Sequence, residues 1–221
     1  MVEQPSVKIK HISLDVWNTL VKANPEYANA RTKYLADRFR LDEEFVRQTY
    51  TKTKTWIDNF SEKTGVAPSV EGNVLMLMNN LNVFTDPYEI ISEFRLAFAE
   101  NQPIVIPEAL EFVKLMRKNK ITLSIGSNSN FISGNLINPW LDKTFGGFQF
   151  HISSDEAGVA KPSSSFFARV WRQSPAMSKD QIMHIGDNPM CDIFGAATFG
   201  FANGYISKPS DFNDIAKVIL K

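Results

Sequence analysis

The polar residues of this chain that could carry out chemistry stand at the ends of apolar segments. Asp15 follows Ile12–Leu14, and a carboxylate in this position can attack a substrate or bind a metal ion. Asp187 and Asp192 form a second acidic group, and carboxylate oxygens are the ligands that Mg²⁺ prefers. The pattern therefore predicts a site that joins one isolated carboxylate to hard oxygen ligands.

Hydrogen-bond donors and a cation complete this set. Ser127 and Asn128 follow the apolar segment Ile121–Gly126, and their hydroxyl and amide groups can donate to anionic oxygens. Lys161 adds a positive charge in a loop that Pro162 stiffens. Together with the carboxylates, these groups predict a site for Mg²⁺ and a phosphoryl group.

Alternating strand and helix patterns would place these groups at one edge of a sheet. The predicted strands are Val7–Leu14, Ile121–Gly126, Phe148–Ile152, Ile182–Gly186 and a short strand near Phe201. The predicted helices are Glu108–Lys118 and those that begin near Phe131, Ser164 and Pro189 and after Pro209. Such alternation indicates a parallel sheet covered by helices, and ligands of such sheets bind at the carboxyl ends of the strands.

A different pattern separates the first strand from the others. Residues 25–101 show helical spacing with little strand-like alternation, which predicts a helical insertion. The proline-bearing stretches around Pro25 and Gln102–Pro107 are the expected hinges. The predicted domains are a core of residues 1–21 and 104–221 and a helical domain of residues 22–103.

Composition and charge exclude several classes of protein. The 221 residues are 43% hydrophobic, and 24 basic residues balance 24 acidic ones, so neither a nucleic acid nor a membrane is an expected partner. Cys191 is the single cysteine and cannot form an intramolecular disulfide. Met1–Lys10 lack the apolar region of a secretory signal. We therefore expect a cytoplasmic protein with a small-molecule substrate, whose oligomeric state the sequence leaves open.

Asp15, Ser127, Lys161, Asp187 and Asp192 occur in the order of the motifs of the haloacid dehalogenase superfamily, which the chain resembles over nearly its whole length. The resemblance implies an α/β fold with a three-layer, Rossmann-like core, a parallel sheet and a mainly α-helical cap that closes over the site. It also implies that Asp15 is the nucleophile and forms an aspartyl intermediate. Ser127 and Lys161 would then bind the transferring group and neutralise its charge.

The same resemblance implies a set of metal ligands. Asp15, the backbone carbonyl of Trp17 and Asp187 would bind Mg²⁺. Asp192 would hold the metal or its waters. The expected cofactor is therefore Mg²⁺, and the expected substrate is a small phosphorylated metabolite.

Trp17 departs from the pattern of the phosphatases in this superfamily. These enzymes usually carry a second aspartate there, which protonates the leaving oxygen and then activates water. An indole cannot exchange a proton at neutral pH, and general acid–base catalysis typically contributes about 10²–10⁴-fold. Trp17 is expected to contact substrate, while Asn128 and the backbone amides of Asn18 and Thr19 would complete the anion cradle.

Trp17 leaves two alternatives to a phosphatase or phosphotransferase. Haloacid dehalogenases also have an aromatic residue at this position, since halide leaves without a proton. A metal-independent 2-haloacid dehalogenase would need a cationic halide cradle, for which the candidates are Arg31, Arg38, Arg40 and Arg47. The other alternative is a phosphate-binding protein that has lost turnover. Asp187 together with Asp192 favours the Mg²⁺-dependent phosphohydrolase.

Overall fold

A five-stranded parallel sheet forms the centre of the protein in the computed structural model, which describes residues 8–221. The strands are β1 (His11–Leu14), β2 (Val21–Lys22), β3 (Ile104–Val105), β4 (Thr122–Ser127), β5 (His151–Ser153), β6 (Ile182–Gly186) and β7 (Ala202–Tyr205). The order in the large sheet is β5-β4-β1-β6-β7. In β1, Leu14 is in register with Ile125 of β4 and Ile185 of β6, so these three strands end side by side.

The strand boundaries differ from the predictions at three places, and the smallest difference is a shift of one residue in β4, which was predicted as Ile121–Gly126 and is observed as Thr122–Ser127. The first strand begins at His11, and Val7 of the predicted strand lies outside the described residues, as does most of the segment assessed for a secretory signal. The strand predicted from Phe148 begins at His151. The backbone N–H of Phe148 donates to the Asp142 side chain, so this residue still belongs to the turn that follows a helix.

Helices cover both faces of the large sheet. The α-helices are α1 (Pro25–Phe39), α2 (Glu43–Thr64), α3 (Val70–Leu81), α4 (Pro87–Glu100), α5 (Pro107–Lys118), α6 (Gly134–Phe145), α7 (Ser154–Ala157), α8 (Ser164–Gln173), α9 (Gly195–Phe199) and α10 (Asp211–Ile219). Apolar residues of α5, α6 and α10 pack on one face, and those of α8 and α9 pack on the other. The predicted three-layer α/β architecture is confirmed.

Helices α1–α4 form the mainly helical cap, which has its own apolar cluster. Each begins after a residue whose side chain accepts a hydrogen bond from a backbone N–H of the first turn, and these residues are Asn24, Asp42, Ser69 and Asp86. Prolines occupy the first position of α1 and α4, where a missing N–H is tolerated. None of the helices within residues 8–221 is both long enough and apolar enough to cross a membrane.

Two short strands join the ends of the helical segment. In the antiparallel pair β2–β3, Val21 is opposite Val105 and Lys22 is opposite Ile104. The N–H of Ile106 also donates to the carbonyl of Leu20 at 3.0 Å. The sequence predicted hinges near this place but not the pairing, since each strand has two residues and carries no period-2 signal.

The cap touches the core again where α2 ends. Gly65 adopts the left-handed conformation with φ +70°, and an added Cβ would lie 2.7 Å from Cβ of Ser163. The N–H of Ala160 donates to the carbonyl of Gly65 at 2.9 Å, and Val66 pairs with Val159 in an isolated antiparallel bridge. The last turn of α2 is therefore joined by backbone hydrogen bonds to the segment that leads to Lys161.

Phe131 belongs to the loop after β4 but is buried in the apolar cluster of the cap. Its ring centroid lies 4.5 Å from that of Tyr50 and 6.2 Å from that of Phe94. The core thus supplies one of the aromatic side chains around which the cap helices pack.

We expect Phe131→Ala to lower the free energy of unfolding by about 3–5 kcal/mol, because the truncation leaves a cavity in the cap cluster. Phe84→Ala is the matched control, since Phe84 is 89% exposed and its loss should change the free energy by less than about 0.5 kcal/mol. Urea denaturation monitored by circular dichroism measures both. Equal effects in the two variants would mean that Phe131 does not hold cap and core together.

Candidate active site

Lys161 is the centre of the group of polar residues at the carboxyl edge of the sheet. Its side chain is 2% exposed, and its Nζ donates to Oδ1 of Asp15 at 2.7 Å and to Oδ1 of Asp192 at 2.6 Å. Asp15 directly follows β1, while Asp192 lies in a π-helical turn, Pro189–Phe194, that follows β6. One buried ammonium group therefore joins the ends of two neighbouring strands.

Asp192 is held on both of its oxygens. Oδ1 also lies 3.0 Å from Nε2 of His184, whose Nδ1 lies 3.0 Å from Oγ of Ser13, and Oδ2 accepts from the N–H of Asn188 at 2.9 Å. Gly186 allows this approach, because an added Cβ would lie 2.2 Å from the Asp192 carboxyl group. These contacts fix the position of Asp192.

Burial and close charges set the protonation of this cluster. Burial raises the pKa of Asp15 to about 6, although Lys161 acts against the rise. Burial also disfavours the ammonium form of Lys161, but Asp15 and Asp192 outweigh it and hold the pKa of Lys161 above its ordinary value. For Asp192, Lys161 and His184 overcome burial and hold the pKa below its ordinary value. At neutral pH Lys161 is a cation and Asp192 an anion, whereas Asp15, with a pKa of about 6, loses its proton only as the pH rises through about 6.

A third carboxylate completes a possible metal site. Asp187 follows β6, and ligand atoms of Asp15, Asp187 and Asp192 all lie within 4.8 Å of one another. Oδ2 of Asp187 accepts from Nδ2 of Asn18 at 3.2 Å, and burial raises the pKa of Asp187. Three carboxylates face one ammonium group, so the fully ionised cluster carries two uncompensated negative charges. Hard oxygens in this number and with this charge fit Mg²⁺.

These residues surround a cavity of about 200 Å³ between the core and the cap. The predicted site residues that line it are Asp15, Trp17, Asn18, Asn128, Lys161, Asp187 and Asp192. The structure thus brings together residues from four segments that are far apart in the sequence.

Asn128, Ser127 and Thr19 differ in their position relative to the cavity. Asn128 lines the cavity and also forms two hydrogen bonds with the backbone of Lys161, accepting from its N–H at 2.8 Å and donating to its carbonyl at 3.1 Å. Ser127 is buried at the end of β4, with Oγ 3.4 Å from the carbonyl of Asn128. Thr19 is buried as well, and its hydroxyl has no hydrogen-bond partner within residues 8–221. Neither Ser127 nor Thr19 lines the cavity.

Sequence reasoning missed the carboxylates that the cap contributes. Asp58 and Glu62 lie one turn apart on α2, and both line the cavity. Oε1 of Glu62 accepts from Nδ2 of Asn188 at 3.0 Å and lies 3.2 Å from Sγ of Cys191. The i, i+4 spacing of the two acids was the available signal, but it is equally typical of a solvated helix face.

The comparison with known families agrees with the geometry. The family model described as haloacid dehalogenase-like hydrolase matches residues 9–200. The chain belongs to this family. No curated protein matches the sequence of this haloacid dehalogenase-like hydrolase.

Solved structures with the same fold include more than one kind of hydrolase. The putative HAD-hydrolase YfnB from Bacillus subtilis, bound to magnesium, has a TM-score of 0.74 at 16% identity and covers 97% of this chain and 100% of its own. A HAD phosphatase from Thermococcus onnurineus has a TM-score of 0.68 at 13% identity, covering 96% and 98%. A 2-haloacid dehalogenase from Pseudomonas syringae has a TM-score of 0.67 at 18% identity, also covering 96% and 98%. At these identities the similarity establishes only the fold of this haloacid dehalogenase-like hydrolase. Its reaction has to be inferred from the residues of the candidate site.

The raised pKa of Asp15 predicts a pH-dependent stability. A carboxyl group whose pKa is higher in the folded state stabilises the fold in its protonated form, and this contribution is lost as pH rises through about 6. With metal removed by chelator, we expect the free energy of unfolding of the wild type to fall by about 1 kcal/mol between pH 5 and pH 8 relative to Asp15→Asn. Urea denaturation at several pH values measures the difference. Parallel pH profiles would show that Asp15 ionises normally.

Proposed function

We propose that the protein is a Mg²⁺-dependent phosphatase or phosphotransferase that acts through an aspartyl-phosphate at Asp15. The observation that carries the proposal is the cluster of Asp15, Asp187 and Asp192 around a single ammonium group. Lys161 is already shared by Asp15 and Asp192. Asp187 has no cationic partner within residues 8–221, where its only side-chain hydrogen bond comes from Asn18. A divalent cation would supply the missing positive charge.

The charge of the cluster argues against an anionic substrate without a metal. Phosphate esters and 2-haloacids are both anions, and two uncompensated negative charges in a partly buried cavity would repel them. Mg²⁺ bound to Asp15 and Asp187, with the carbonyl of Trp17 as the predicted third ligand, would neutralise these charges and polarise a phosphoryl oxygen. Oδ1 of Asp192 binds Lys161 and His184, so Asp192 would position Lys161, while Oδ2, which accepts one backbone hydrogen bond, would hold the metal or its waters.

The side chains of the protein then have defined roles in the transfer. A carboxylate oxygen of Asp15 attacks phosphorus, and the bond between phosphorus and the ester oxygen breaks. Lys161 and Asn128, which line the cavity, would stabilise the charge of the equatorial oxygens. The other predicted cradle groups do not face the substrate in this structure, since Ser127 and Thr19 do not line the cavity and the N–H of Asn18 donates to the carbonyl of Val21 at 2.7 Å. Water then attacks phosphorus, its proton passes to solvent, and the bond from phosphorus to Asp15 breaks to release phosphate.

Trp17 limits which esters this mechanism can cleave. It lines the cavity beside Asp15 but has no group that could protonate the leaving oxygen at neutral pH. The leaving group must therefore depart as an anion or take its proton from water. This favours aryl phosphates and other esters with weakly basic leaving groups.

The second candidate is a 2-haloacid dehalogenase, which Trp17 favours because halide leaves without a proton. The fold is compatible, since several solved structures of dehalogenases resemble this chain. We rank this candidate second, because a dehalogenase that works without metal would leave the negative charge of Asp187 uncompensated within residues 8–221.

We expect p-nitrophenyl phosphate to be hydrolysed with Mg²⁺ and not with chelator, because its leaving group needs little protonation. Asp15→Asn should abolish turnover, and Asp187→Asn should raise the Mg²⁺ concentration for half-maximal activity by about tenfold or more. Release of p-nitrophenolate, followed by absorbance, measures both. The control is Asp214→Asn, which changes an exposed carboxylate on α10.

A different result would reverse the order of the two candidates. If p-nitrophenyl phosphate is not turned over, while chloride is released from 2-chloropropionate in chelator with dependence on Asp15, the protein is a dehalogenase. Turnover of neither substrate, with phosphate still bound, would identify a binding protein.

We expect Trp17→Asp to raise kcat/KM for an alkyl phosphate such as glycerol 2-phosphate by about 10²–10⁴-fold, the usual contribution of a general acid. Trp17→Asn removes the indole without providing a proton and is the matched control. Released phosphate is the quantity to measure, beside p-nitrophenyl phosphate as the substrate that needs no acid. A similar gain in both variants would mean that the indole acts by its bulk.

A further inference from the structure

A second, larger cavity adjoins the catalytic one. Its volume is about 450 Å³, and it lies between α1, α2 and the loop that carries Phe131. The two cavities share the residues Trp17, Asn18, Asp58 and Asn128. A ligand with one end at Asp15 can therefore extend past Trp17 into the space under the cap.

Arg31 of α1 lines this second cavity, where its guanidinium group contacts aromatic rings of the cap. Its Cζ lies 3.6 Å from the ring centroid of Tyr50 and 5.2 Å from that of Tyr27, so the group is stacked on aromatic faces. Nε is buried without a hydrogen-bond partner, and Arg31 forms no ion pair with any carboxylate of residues 8–221. A buried donor of this kind is unfavourable unless a ligand satisfies it.

The other arginines near α1 do not share this position. Arg38 pairs with Glu89 at 2.8 Å, and Arg47 lies 4.0 Å from Glu44. Arg40 is exposed where α1 ends. None of these three lines either cavity.

The charged side chains that line the larger cavity sum to one net positive charge. Its other charged side chains, Lys54 and Asp58, form an ion pair with each other. The positive charge of Arg31 is therefore not compensated by another side chain of this cavity, and it can bind one negative charge of a ligand. A carboxylate matches this charge and also the planar fork of the guanidinium group, whereas a second phosphate dianion would leave a negative charge unmatched.

Building on the proposed phosphatase function, we propose that Arg31 binds a carboxylate at the far end of the substrate. The substrate is then a phosphate monoester of a hydroxy acid whose hydroxyl gives a weakly basic leaving group, as a phenol does, with the phosphoryl group at Asp15 and the carboxylate under the cap. Tyr27, Tyr50 and Trp17 provide apolar surface for the part between them.

Aryl phosphates with a para carboxylate test this proposal, because their leaving groups do not depend on Trp17. The series carries carboxy, carboxymethyl and carboxyethyl groups, and each compound is compared with its neutral carboxamide. The measured quantity is the ratio of kcat/KM for acid and amide, with Mg²⁺ present. Comparing this ratio between protein variants cancels the difference between the two leaving groups.

For at least one length, the wild type should prefer the acid by about tenfold or more relative to Arg31→Met, since hydrogen bonds to charged groups are worth this much. Arg31→Lys keeps the charge without the planar fork and should retain part of the preference. Arg95→Met changes an exposed arginine of α4 that lines neither cavity, and it should keep the full preference. Circular dichroism checks that each variant is folded.

Turnover without a preference for any acid, or a preference that survives in Arg31→Met, would overturn the proposal. Absence of all turnover would instead count against the proposed function. In that case calorimetry with benzoate, phenylacetate and 3-phenylpropionate, each against its amide, tests the subsite alone. Binding of an acid that is lost in Arg31→Met supports the carboxylate site, and no binding rejects it.

Discussion

The ammonium group of Lys161 is almost completely withdrawn from solvent, and burial of an unpaired charge costs several kcal/mol. Asp15 after β1 and Asp192 after β6 offset this cost, because Oδ1 of each lies within 2.7 Å of Nζ of Lys161. These carboxylates can reach one lysine only if β1 and β6 are neighbours that end at the same level. Three features of the structure bring Lys161 and the two carboxylates together. They are the strand order, the close approach of Asp192 to Gly186 and the hydrogen bonds between Asn128 and the Lys161 backbone.

The two cavities differ in the sign of their charge, and Trp17 stands on the wall of both. Around Asp15 the carboxylates outnumber the cations, whereas under the cap Arg31 is the charge in excess. A ligand with two different ends would be oriented by this asymmetry before any chemistry begins. The indole would then act as a neutral wall between the two regions, a role for which an aspartate is unsuited.

Much of the core could be predicted because its signals are local. Apolar runs and prolines indicate the strands and helix starts, and polar residues after the strands indicate the site edge. Other features could not be predicted, because they depend on residues distant in sequence. These are the pairing of β2 with β3 and the ion pair between Arg38 and Glu89, which excludes Arg38 as a ligand for substrate. The position of Arg31 beside the larger cavity, without an ion pair in residues 8–221, is a third. His184 lies in β6 with no sequence signal of a role in the site, yet its Nε2 lies 3.0 Å from Oδ1 of Asp192. Four arginines near α1 look alike in sequence, and only packing distinguishes them.

The backbone hydrogen bond from Ala160 to Gly65 connects the cap directly to the segment that carries Lys161. Ala160 immediately precedes Lys161, so any displacement of the end of α2 pulls on the residue that carries the buried charge. A rearrangement of the cap at this point would therefore be transmitted along one peptide unit to Lys161, and from its Nζ to the two carboxylates that it joins.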